Sequence, residues 1–436
     1  MHFSKIFYVV ISAILVTIFM LIIYVFPTYN IIGRSQGKPV KIYFADNISP
    51  AHIELIKLFN EKNKGKIEVV PLNLPFSKFS TNDRKELLAR YFRSKSDRID
   101  VFSVDQIWVP RFARWAISLD GYIPDSERTS ILKYALKTCV YNNTLVAVPL
   151  YIDIALMYYR KSLIEKLRNT KQIEAELKKS ITWEDLISLK KNYPNNPLFV
   201  FQADDFEGLV CIYTEILANM HGKVVENDSL LIKSRQAEKA LQFLDDLVNK
   251  YRVSPKNVLR FKEDDSYQYY LQNNGVFLRG WTGLFKNNNV GNKYLYLRND
   301  IGEAPTPHLK GSKPTSVYGG WDLMVSKYST KVPEAIRFIK FLTSKEAQKI
   351  LFEKGGYIPI NNSIYEDTSY VNKNPELKFC TKLLKNGLYR PFTEQYTNIS
   401  DILSYYVNQS IKGNLTPRDA LYKAYDKLNS KSILLK

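Results

Sequence analysis

From Lys38 onward the chain alternates between short extended runs and amphipathic helices, and this alternation restricts its fold more than any other feature. Val40-Lys41-Ile42-Tyr43-Phe44 reads as a strand closing on Ala45-Asp46-Asn47. Ser49 then caps, and Pro50 opens, a helix whose face includes Ile53, Ile56 and Phe59. Residues 66–72 (KIEVVPL) form a second strand, 83–92 a second helix, and 99–102 a third strand closing on Ser103-Val104-Asp105-Gln106-Ile107-Trp108. Strands alternating with helices imply an α/β architecture, a mainly parallel sheet with helices on both faces. Ligands of such sheets bind outside the carboxyl ends of the strands, which marks Asp46, Asp105 and Trp108 by position alone. Asp46 reads equally well as a turn residue flanking a helix, and Trp108 as a core anchor.

The most specific stretch is residues 319–360. Gly319-Gly320-Trp321 offers close backbone approach and an aromatic face. Trp321-Asp322-Leu323-Met324-Val325 reads as a strand, and Pro333 opens a helix with the stripe Ile336, Ile339 and Leu342, widened by Phe338 and Phe341. Ser344 caps a further helix carrying Ala347, Ile350 and Leu351; Gly355-Gly356 stops it, and Tyr357-Ile358-Pro359 leaves as extended chain. The ordered run GGW-D-L-x-VS-K-x-S, PEA-x-x-FI-K-FL-TS-x-EAQ and GGY-IP-x-N resembles the C-terminal third of family 1 extracellular solute-binding proteins, the sugar-type receptors of bacterial ABC importers. The stretches DQIWVPRFA, AVP-x-x-x-D-x-x-x-x-YYR and KGNLTPRDAL are similar to further segments of that family, so the resemblance covers nearly everything after residue 38.

That resemblance implies a two-lobed periplasmic-binding-protein fold of type II-like organisation, with a ligand cleft between the lobes. About 400 residues after the first strand's start are indeed too many for one ordinary core. The expected divisions are 1–37 as a membrane anchor or uncleaved signal with a linker, 38–148 as the first lobe and 149–300 as the second. Residues 301–343 return to the first lobe, and 344–436 form a C-terminal helical part, mainly of the second.

Residues 6–26 carry no charge and are long enough to span a bilayer as a helix. Pro27-Thr28-Tyr29-Asn30 follows without a small-residue cleavage site, and no cysteine precedes Cys139 to serve as a lipoprotein acylation site. An uncleaved anchor is therefore expected. Lys5 precedes the span while Arg34, Lys38 and Lys41 follow it, which would favour a cytoplasmic body. Large domains translocate largely regardless of such charges, and the resemblance implies export.

The net charge of +19 raises nucleic acid as a partner. Lysines are, however, interspersed with acids, as in EKNKGK and EAELKK, and no arginine-rich arm or nucleic-acid module is present. A solvated basic surface beside an anionic membrane is the expectation. The three cysteines, Cys139, Cys211 and Cys380, and the four histidines have no metal-ligand or disulfide spacing, so no cofactor is expected.

The resemblance also nominates site residues. It implies a carboxylate at Asp105, and it places Tyr151 and Asp153 just after the crossing between lobes, with Tyr158 and Tyr159 in the core. Trp281, fenced by Gly280 and Gly283 at a strand end, falls where relatives place a cleft aromatic. Trp321, beside Gly320, reads the same way. Arg390 matches a position that reaches the ligand in some sugar receptors, whereas Trp183 matches a structural one. Aromatic faces cover the C–H faces of a pyranose, while carboxylates and arginine span its hydroxyls. The expected activity is recognition without reaction: capture of a neutral sugar or oligosaccharide and delivery to ABC permease subunits. Replacing Trp281 or Trp321 should weaken binding and leave folding intact. Two other classes stay open. One is a membrane-anchored sensor or scaffold that kept the fold. The other is a glycosidase, which needs two carboxylates about 5–10 Å apart, although no hydrolase motif is present.

Overall fold

The computed structural model describes residues 38–75, 78–79, 81–286 and 292–430. The expected membrane span at 6–26 lies outside them. Among the described residues, no helix is long and apolar enough to cross a membrane.

Two sheets organise the chain. Their strands are β1 (Val40–Asp46), β2 (Ile67–Asn73), β3 (Val101–Asp105), β4 (Val148–Ile154), β5 (Leu156–Arg160), β6 (Phe199–Val200), β7 (Phe277–Gly280), β8 (Ile301–Ala304), β9 (Ser316–Val325) and β10 (Gly387–Leu388). The first sheet runs β10-β9-β3-β1-β2, with β4 also on β9; the second runs β8-β5-β7-β6. β1 is parallel to β2 and β3, while β9 is antiparallel to β3 and β4. All of β3 and β9 is buried, because helices cover both faces of their sheet.

The helices that matter for the site are α1 (Pro50–Lys62), α2 (Thr81–Arg93), α3 (Glu207–Asn219), α4 (Arg235–Asn249), α5 (Glu263–Gln272), α6 (Val332–Leu342), α7 (Lys345–Gly355), α8 (Pro375–Leu384), α9 (Tyr396–Ile411) and α10 (Pro417–Asn429). Phe338 of α6 packs edge-on against Phe44 of β1 and Phe59 of α1, with ring centroids 5.3 and 5.1 Å apart. α7 lies along α1 in the first lobe, whereas α9 and α10 pack on α3 and α4 in the second. The C-terminal part is thus divided between the lobes, not mainly in the second.

The crossings also differ from expectation. β4 stays in the first sheet, and the chain changes sheets at Ala155, whose N–H donates to the Val317 carbonyl at 3.1 Å. Pro149 sits opposite Asp322 on a strand that, among the described strands, pairs with β9 alone, where a missing N–H is tolerated. A register shift at Trp321/Asp322 accompanies it. The return comes after Ala304, because β8 pairs with β5 in the second sheet.

Candidate functional site

The cleft between the sheets has a volume of about 430 Å³ and is lined from both lobes. The first lobe contributes Trp321 of β9, which pairs in register with Asp105 of β3 on one side and Tyr151 of β4 on the other. Three of the nominated side chains therefore meet because three strands run side by side. Gly320 makes this possible. Its φ is +131°, and a Cβ there would stand 2.6 Å from the Tyr151 carbonyl oxygen. Gly319 matters for the contact between lobes. A Cβ at this position would meet the Trp281 ring at 2.8 Å, so its bareness lets the second lobe's tryptophan reach the first lobe's strand.

Trp281 is partly buried just beyond β7. Its backbone N–H donates to the Tyr267 hydroxyl at 3.0 Å, and its carbonyl accepts from the Tyr158 hydroxyl at 2.6 Å. Burial pushes the carboxyl of Glu263 up to about 7, an effect that the Trp281 indole offsets in part. Trp321 is more enclosed, with 7% of its surface exposed; it packs edge-on against Trp108 at 6.2 Å and belongs to the main core. The expectation that folding tolerates its loss is corrected here: the flanking glycines thin out only its backbone neighbours. Tyr151 is buried and stacks on Tyr357 with ring centroids 4.2 Å apart.

Arg390 and Asp105 come together, but largely with each other. The Arg390 guanidinium donates to Asp105 at 2.9 Å, to Glu207 at 2.7 Å and to the Tyr318 carbonyl at 3.3 Å. Burial opposes the Arg390 charge, but Asp105, Cys211 and Glu207 hold its pKa well above the ordinary value. Glu207 also accepts from the hydroxyls of Tyr396 and Ser400. Arg390 still borders the cleft, yet its hydrogen bonds tie β3 to the start of α3. Asp46 is outside the cleft lining. It is buried behind the aromatic wall, where it accepts from Arg84 at 2.7 Å and faces His52 Nε2 at 3.5 Å. Its position at a strand's carboxyl end was right; its side chain turns into the lobe.

Asp153 lines the cleft and links the lobes: its Oδ1 accepts from the Thr282 N–H at 3.2 Å and the Thr282 hydroxyl at 2.8 Å. Burial raises its carboxyl to about 6. Residues that sequence reasoning missed are Glu207, Glu263 and Tyr357. The run Glu263-Asp264-Asp265 is legible as the acidic first turn of a helix, but its facing the cleft depends on how α5 packs. In all, Asp83, Asp105, Asp153, Glu207, Glu263, Asp264 and Asp265 border the cleft, against Lys78, Lys262 and Arg390. The local charge is opposite in sign to the chain's +19.

A probable ABC transporter-binding protein of Deinococcus radiodurans is 26% identical over 356 residues, 78% of this chain and 81% of that protein. The sn-glycerol-3-phosphate-binding periplasmic protein of Salmonella paratyphi A is 27% identical over 179 residues, only 38% of this chain and 40% of that protein. Among solved structures, maltose-bound MalE3 of T. maritima superimposes with a TM-score of 0.81 at 28% identity, covering 91% of this chain and 100% of that one. An ABC substrate-binding protein of Listeria monocytogenes in complex with cycloalternan shares the fold, with a TM-score of 0.75 at 18% identity over 92% of this chain and 100% of that one. Residues 54–378 match the family described as bacterial extracellular solute-binding protein, and with two lobes closing on one aromatic, carboxylate-lined cleft the chain belongs to that family.

Proposed function

We propose that this protein captures a neutral sugar or oligosaccharide in the interlobe cleft and delivers it to an ABC permease. One observation carries the reading: Trp281 and Trp321, from opposite lobes, border a single cleft whose other lining is rich in carboxylates. Two aromatic planes suit the C–H faces of a pyranose, and carboxylates suit its hydroxyls. The cavity volume falls in the range of small-molecule pockets. The likeness to a maltose-bound protein supports the same class. The partial likeness to a glycerol-phosphate-binding protein points to an anion instead, but seven carboxylates against three cations oppose a phosphate.

The test is thermal unfolding of the detergent-solubilised full chain with maltose, longer neutral oligosaccharides, acidic sugars and sn-glycerol 3-phosphate, at low and high salt. A ligand at about 1,000 times its Kd adds roughly 4 kcal/mol to the folded state and shifts the midpoint by several degrees. We expect a shift with a neutral sugar that persists at high salt. A shift only with anions, vanishing with salt, would overturn the reading.

The same proposal places the body outside the cytoplasmic membrane, held by residues 6–26, whose lack of charge and of a cleavage site supports an anchor. Protease added to spheroplasts should digest the body and leave a membrane-bound N-terminal stub. A protected body would reject this topology, and a free periplasmic form would show that the segment is cleaved.

A further inference from the structure

Both cleft tryptophans are backed by a buried arginine. The Arg84 guanidinium lies 3.9 Å from the ring centroid of Trp321, and that of Arg279 lies 4.5 Å from the ring centroid of Trp281. The two arginines come from different lobes and different kinds of element, α2 and β7. Each is clamped by a buried carboxylate: Arg84 by Asp46 at 2.7 Å, Arg279 by Glu215 at 3.1 Å. Arg84 and Arg279 are 0% and 1% exposed, and neither lines the cleft.

Buried ion pairs contribute little to stability beyond what apolar residues of the same size would give. What a guanidinium adds is a rigid, permanently charged plane that stacks on an aromatic face. Such a plane has a specific use here. Gly320 before Trp321 and Gly280 before Trp281 leave one backbone neighbour of each ring bare, and a stacking platform needs a fixed tilt before the ligand arrives. The carboxylates complete the device. Asp46 Oδ1 holds Arg84, while its other oxygen faces His52, whose Nδ1 lies 2.8 Å from the Ser49 hydroxyl. Burial, the largest influence, lowers the His52 pKa, so the imidazole is neutral near pH 7 and Arg84 is the cation that Asp46 holds. On the other side Gln202 packs against Arg279, donating to its carbonyl at 2.9 Å.

We propose that Arg84 and Arg279 are positioning residues, each fixing from behind the plane of one tryptophan and thereby setting affinity for a ligand with a flat apolar face. This rests on the sugar reading above, and it gives Asp46 a role through Arg84 in place of ligand contact.

The experiment labels the full chain with 5-fluorotryptophan and assigns the Trp281 and Trp321 resonances by their loss in Trp281→Phe and Trp321→Phe. Arg84→Lys and Arg279→Lys keep a cation but remove the plane. Arg84→Lys should move or broaden the Trp321 resonance and leave that of Trp281 in place; Arg279→Lys should do the reverse. Maltose, the probe ligand, should bind about tenfold more weakly to each, measured by calorimetry. Arg84→Lys should cost no further affinity once Trp321 is Phe, because it acts through that ring. If Arg84→Lys does not fold, the paired change Arg84→Met with Asp46→Asn removes both charges together and is read the same way. Unchanged fluorine spectra, unchanged affinity despite moved spectra, or losses that add in the Trp321→Phe background each overturn the proposal. Failure of the unmodified protein to bind any neutral sugar overturns the sugar reading instead, and the spectra alone then decide the positioning.

Discussion

Trp281 and Trp321 border the same cleft but differ in what else depends on them. Trp281 touches Gly319 and hangs between lobes, whereas Trp321 sits among Trp108, Arg84 and the core of the first lobe. Trp281→Ala should therefore weaken ligand binding by about 1–3 kcal/mol, the scale of one buried aromatic contact, with little change in stability. Trp321→Ala should in addition lower unfolding stability by about 3–5 kcal/mol, as expected for a large core side chain. Urea denaturation alongside calorimetry separates the two; equal stability losses would contradict the difference in packing. One strand residue further, Asp322 is 2% exposed and accepts a hydrogen bond from Thr138 at 3.1 Å. Burial raises its carboxyl to about 8. It is thus protonated in the native state near neutrality, while in the unfolded chain it ionises from about pH 4 upward. The native state then holds the extra proton, so this group's effect is a stability that falls as pH rises from about 4 to about 8. Asp322→Asn should stabilise the protein more at pH 8 than at pH 5, and an equal effect at both would show that Asp322 is ionised in the fold.

Among the elements, the order of strands and helices was readable from the sequence, since alternation follows from backbone rules. Phase and partnership were not. The α1 stripe was placed on Ile53, which is 58% exposed, while His52 is buried beside Leu55, Ile56 and Phe59. A histidine on the inner face breaks the apolar pattern, and only tertiary structure shows that Ser49 and Asp46 accommodate it. α2 hides Arg84 and Lys85 on its inner face for the same kind of reason. Arg390 shows the limit for sites. Its position near the cleft was legible, but the sequence does not reveal that Asp105 and Glu207, far apart along the chain, converge on its guanidinium. This makes Arg390 a joint between β3, α3 and the segment leading to α9. Arg390→Met would leave two largely buried carboxylates facing each other, and should lower stability by about 3–5 kcal/mol. Adding Glu207→Gln should recover part of that loss. A variant as stable as the parent in denaturant titrations would mean that the joint carries no load.

On the scale of the whole molecule, the lobes are joined by the crossings at Ala155, 305–315 and 389–395 and touch directly where α2 meets α9. There Asp401 accepts from Asn82 at 2.8 Å and from Lys85 at 3.0 Å. The Lys85 side chain is only 2% exposed, while Asp401 is 42% exposed and outside the cleft lining. Asp401→Ala would leave the Lys85 ammonium enclosed without its carboxylate, and parting the lobes is the most direct way to rehydrate it. The substitution should therefore shift the unliganded protein toward more open arrangements without removing any ligand contact. If only a fraction of molecules is binding-competent, the apparent Kd rises by the inverse of that fraction. We expect maltose affinity to fall about three- to tenfold, which corresponds to roughly 0.7–1.4 kcal/mol of added closure cost. Small-angle scattering should show a larger radius of gyration for the unliganded variant than for the parent, and the same radius for both once saturated. A loss of affinity with no change in radius would place the effect in the cleft; neither change would show that the α2–α9 contact does not govern closure.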